Sequence, residues 1–61
     1  MYSLFTLAAA LAVAQNRFPH LTYRMGDEGA IVIGTINDRC NFVPEVLATL
    51  DEAVEILRAV H

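Results

Sequence analysis

The sequence predicts a small α+β domain in two layers, ordered helix-strand-strand-helix, with an antiparallel hairpin completed by dimerisation, either as a four-stranded sheet shared by two copies or through a helix-helix interface. Three observations carry this expectation. An uncharged, alanine-rich run opens the chain, two stretches of strand character flank the turn GDEG, and a heptad-like apolar step runs from Val43 to Val60.

The first helix is expected from Ser3 to Asn16, where alanine and leucine dominate and Pro and Gly are absent. Ser3 is suited to the N-cap, because its hydroxyl can accept from an unpaired first-turn amide. Pro19 forces the preceding Phe18 toward extended geometry, which ends the helix near Arg17. In the following FPHLTYRM, His20, Thr22 and Arg24 alternate with Leu21, Tyr23 and Met25, the period of a half-buried strand. AIVIGTIN, residues 30 to 37, is the second strand and is rich in β-branched residues.

Register follows from the turn. With Asp27 and Glu28 at the centre of a type I turn and Gly29 in a left-handed position, Met25 lies opposite Ile31 and Tyr23 opposite Ile33. One face then carries Leu21, Tyr23, Met25, Ile31, Ile33 and Thr35, and the other His20, Thr22, Arg24, Val32, Gly34 and Ile36. The second strand is apolar on both faces.

After the loop NDRCN, the apolar positions Val43, Leu47, Leu50, Val54 and Leu57 predict a second helix from Pro44 to Val60. Pro44 suits a first helical turn. A competing start is Thr49, since T-L-D-E matches a capping box, which leaves FVPEVLA extended. The longer helix is favoured here because the periodicity begins at Val43. Glu45, Asp51, Glu52 and Glu55 make its outer side acidic, with Arg58 placed to pair with Glu55.

A chain of 61 residues is one domain, residues 1–61, and its core is marginal at this length. Its 56% hydrophobic content exceeds the usual share of a soluble domain. Cys40 is the single cysteine, so no disulfide can form within the chain, and a lone thiol suits a reducing compartment. His20, Cys40 and His61 lack the spacing of a metal site, and neither a metal nor a cofactor is expected. Self-association is the remaining common way to stabilise so small a domain. The residues expected at that interface are Leu4, Phe5, Leu7, Ala8, Leu11 and Ala12 of the first helix, with Val32 and Ile36 of the second strand.

The formal net charge of −3, from seven carboxylates and four arginines, disfavours nucleic acid as a partner and would suit another protein with a basic surface. SLFTLAAALAVA is too short to span a bilayer and lacks the basic face of an interfacial helix, so no membrane partner is expected. Ala12-Val13-Ala14 imitates a signal-cleavage site, but the residues before the apolar run carry no Lys or Arg. A retained helix in a cytoplasmic protein is therefore the expectation, with export after cleavage of residues 1–14 as the alternative.

The hairpin brings His20 toward Asp38 and Cys40, the formal ingredients of an activated thiol. No catalytic signature surrounds Cys40 and no glycine-rich element offers an oxyanion site, so the chain is not expected to be an enzyme. The hairpin followed by TLDEAVEILRAV is similar to the strand-strand-helix core of HicB-type antitoxins, over less than half of the chain. That resemblance implies a toxin-neutralising role. The residues themselves imply a small, homodimeric protein-protein interaction module acting as inhibitor, adaptor or assembly factor.

Overall fold

The computed structural model describes residues 1–60, so His61 lies outside the described residues. The elements are α1 (Leu4–Gln15), β1 (Leu21–Met25), β2 (Ile31–Ile36), β3 (Phe42–Ala48) and α2 (Leu50–Arg58). The three strands form one antiparallel sheet in the order β1-β2-β3. The chain is thus α+β, with three strands where the sequence predicts two.

Each helix begins where its cap permits. Ser3 Oγ accepts from Thr6 N at 3.2 Å and starts α1. At α2, Thr49 Oγ1 accepts from Glu52 N at 3.2 Å while Glu52 Oε1 accepts from Thr49 N at 3.0 Å, a complete capping box. The bond that the carboxylate accepts from the Thr49 amide, and secondarily the Thr49 hydroxyl, hold the Glu52 carboxyl below the usual carboxylate range. This box corrects the expected start at Pro44: helix α2 begins after Thr49, and FVPEVLA is the strand β3.

β3 pairs along the second edge of β2 and makes it the central strand, and Leu47 and Phe42 of β3 stand beside Val32 and Ile36 on the open face. Pro44 is tolerated because β3 is an edge strand, where a missing N–H costs no ladder bond. A bulge between Ile33 and Gly34 skips Glu45, pairing Ile33 with Val46 and Gly34 with Pro44. Gly34 is required at this point, because a Cβ there would stand 2.1 Å from the Val43 carbonyl oxygen and 2.9 Å from Phe42 Cζ.

The β1-β2 register is the expected one, with Met25 opposite Ile31 and Tyr23 opposite Ile33. The turn differs in detail: Glu28 as well as Gly29 is left-handed, with φ of 56° and 77°. The NDRCN loop is held by Asn37, whose Oδ1 accepts from Arg39 N at 2.9 Å and Asn41 N at 3.0 Å. Cys40 sits in this loop, exposed and at φ 62°, a conformation that glycine or asparagine adopts at lower cost.

Both helices cover the same face of the sheet. Leu7, Ala10 and Ala14 of α1 meet Ile31, Ile33 and Ala48 of the sheet and Ala53, Val54 and Leu57 of α2 in one buried cluster. The opposite face, carrying Val32, Gly34, Ile36, Phe42 and Leu47, has no layer over it among the described residues. Arg24 lies on that open face with its guanidinium 4.6 Å from the Phe42 ring centroid.

Candidate interaction surface

Helix α1 presents the feature that most needs an explanation. At 100° per residue, Leu7, Ala10 and Ala14 form one narrow stripe buried in the core, with Leu11 half-buried at its margin. Apart from Thr6 and Gln15, the rest of the helix is apolar too. Phe5 is 90% exposed, Val13 67% and Leu4 52%, with Ala8, Ala9 and Ala12 exposed between them. No charged residue interrupts the twelve positions.

The expected interface residues therefore divide. Leu4, Phe5, Ala8 and Ala12 lie together on the free side of α1, and Leu11 is half-buried at its margin. Leu7 is in the core at 0% exposure. Val32 and Ile36 are half-buried on the open face of the sheet, away from α1, where they join Phe42 and the exposed Leu47. Leu47, which the helical periodicity assigns to the second helix, instead belongs to β3 and to the open sheet face. The capping box at Thr49 is the signal that could have revealed it.

The two flanks of α1 differ. Thr6, Ala9 and Val13 turn toward α2, where with Ala10, Leu57 and Arg58 they line a shallow groove of about 270 Å³. That is below the usual 300–1,000 Å³ of small-molecule sites and brings few polar groups together. The other flank, with Leu4, Ala8, Leu11 and Gln15, lies toward β1, and Gln15 Nε2 donates to the Leu21 carbonyl at 2.8 Å.

The N-terminal residues are fastened to α2. Tyr2 N donates to Asp51 Oδ1 at 3.0 Å, the Tyr2 hydroxyl donates to Glu55 Oε1, and Arg58 Nη1 donates to the Tyr2 oxygen at 3.2 Å. The Arg58 guanidinium also lies 4.9 Å from the Tyr2 ring centroid. Arg58 thus reaches Glu55 through a tyrosine, where the sequence suggests a direct pair. The bond to Glu55 raises the Tyr2 phenol above its ordinary value.

The hairpin brings the His20 carbonyl to Ile36 N at 2.9 Å, near the loop that holds Asp38 and Cys40. Among the described residues, no side-chain hydrogen bond joins His20, Asp38 and Cys40 into a relay. Neither a group of metal-ligand side chains nor a helix long and apolar enough to cross a membrane occurs among the described residues. No family model, curated protein or solved structure matches this chain.

Proposed function

We propose that the chain is a non-enzymatic protein-protein interaction module that works as a homodimer through the free side of α1, in the role of an inhibitor, adaptor or assembly factor. The observation that carries this is the exposure of Leu4, Phe5, Ala8 and Ala12 on a helix with no charge. A second copy is the occupant that the charge distribution favours. The seven carboxylates of this acidic chain sit on α2, on β3, in the β1-β2 turn and, at Asp38, in the β2-β3 loop, and none is on α1, so copies that meet through α1 keep like charges apart.

The position of α1 in the core supports a retained helix. Loss of residues 1–14 would remove Leu7, Ala10 and Ala14 together and expose Ile31 and Ile33. This favours the reading in which the segment stays with the folded protein over the one in which it is a cleaved signal.

Sedimentation equilibrium of the native chain and of Ala8→Glu tests the proposal. Ala8 is exposed and glutamate is a good helix former, so the variant should keep its far-UV circular dichroism. Burying an unpaired carboxylate should raise the dimer dissociation constant by roughly 100-fold. Unchanged association in Ala8→Glu would remove the α1 surface from the account.

A further inference from the structure

We propose that two copies of this chain pair along their β1 edges, antiparallel, to make a continuous six-stranded sheet with the two α1 helices side by side above the seam. This deepens the self-association proposed above and rests on it. Size gives the first reason. Twelve helical residues span about 18 Å, and a strip about 10 Å wide of that length falls well short of the ~800 Å² that each partner contributes to a standard interface, even after allowing for relief. The interface has to extend beyond α1, and the flank carrying Leu4 and Ala8 adjoins β1.

The β1 edge is prepared for a partner over a defined length. His20 O and Gly26 N bond inward to the second strand side, to Ile36 N at 2.9 Å and Ala30 O at 2.8 Å. By alternation Thr22 and Arg24 also point inward, so Leu21, Tyr23 and Met25 point outward. Leu21 is already satisfied, its N–H by Phe18 O at 3.0 Å and its carbonyl by Gln15. Tyr23 and Met25 have no such partner among the described residues, which leaves two residues' worth of edge. The β3 edge is the poorer template, because Pro44 lacks an N–H and the bulge breaks its line at Glu45.

Charge selects a second copy in antiparallel orientation. Pairing Tyr23 with Met25 of the second copy places His20 opposite Glu28 of that copy and Leu21 opposite its Asp27. The basic end of β1, with Arg17 and His20, thereby lies beside the acidic turn of the other copy, twice over by symmetry. The two-fold axis falls at Arg24, whose guanidinium is drawn away from the edge onto Phe42.

The test is a charge swap on exposed residues. Asp27→Lys/Glu28→Lys makes both ends of β1 basic, and Arg17→Glu/His20→Glu makes both ends acidic. Each variant alone should dimerise at least about tenfold more weakly than the native chain, and an equimolar mixture should recover a tight heterodimer, read by native mass spectrometry. In the native dimer, the Tyr23 and Met25 amides should exchange more slowly than after dilution to monomer. If both variants dimerise like the native chain while Ala8→Glu does not, the β1 seam is wrong and the α1 interface stands. A native chain that is monomeric in the same instrument overturns both, and so does capture of a different protein's strand by this edge in place of a second copy.

Discussion

The two helices of this chain pack on the same sheet but stand in opposite relations to it. α2 has one buried apolar stripe, Ala53, Val54 and Leu57, and turns Asp51, Glu52 and Glu55 to solvent, so its own chain covers most of its apolar surface and leaves only Ile56 exposed. α1 offers the core a stripe of similar width and then continues to be apolar around its circumference. The sequence of α1 is therefore written for two environments at once, and the sheet supplies only one of them. A helix that is hydrophobic all round is ordinarily a buried one.

The comparison breaks first, and most severely, on the core side, where the two helices should behave alike. Leu7→Ala and Leu57→Ala each remove a fully buried side chain, and each should cost about 2–5 kcal/mol in urea titrations. A loss of that size is a large share of a small domain's total stability. On the solvent side the helices should differ. Phe5→Asp should leave the secondary structure intact and make the denaturation midpoint independent of protein concentration, whereas Glu55→Gln should preserve the concentration dependence.

Smaller effects sharpen the contrast at the caps. Ser3→Ala and Thr49→Ala should each cost about 1 kcal/mol, seen as a shift of the urea midpoint at unchanged slope. Only α2 adds a titratable partner. The Glu52 carboxyl is held below its usual range, so its stabilising effect is present above the ordinary carboxylate value and is lost as the pH falls through the lowered one. Glu52→Gln should flatten that part of the acid limb. At the alkaline end the sign reverses in form: the Tyr2 phenol is raised, so its contribution is present below the ordinary phenol value and is lost as the pH climbs through the raised one. Tyr2→Phe should remove that alkaline loss.

Much of this architecture is legible in the sequence because local chemistry sets it. Ser3 caps α1, Pro19 closes the connection after it, and the alternation from His20 to Met25 with a turn at GDEG sets the β1-β2 register. Residues 42 to 48 were not legible in the same way. Val43 and Leu47 stand four apart and continue into Leu50, Val54 and Leu57, so a strand imitated one more turn of helix. One fact in the sequence argued the other way: the capping box at Thr49, which starts α2 there and leaves FVPEVLA extended. The candidate surface was legible in composition and not in detail. The absence of charge from Leu4 to Gln15 identifies the helix, but only the packing separates Leu7, which is core, from Phe5, which is free. That the free edge of β1 stops short of Leu21 depends on Gln15 reaching the Leu21 carbonyl, a contact between side chain and backbone that no periodicity encodes.

Sedimentation equilibrium across micromolar loading concentrations, with Ala8→Glu run beside the native chain, tests the central claim most directly. A native dimer in reversible exchange with monomer, and a folded monomer for Ala8→Glu, is the predicted result. A native chain that sediments as a stable, well-folded monomer throughout that range would contradict it.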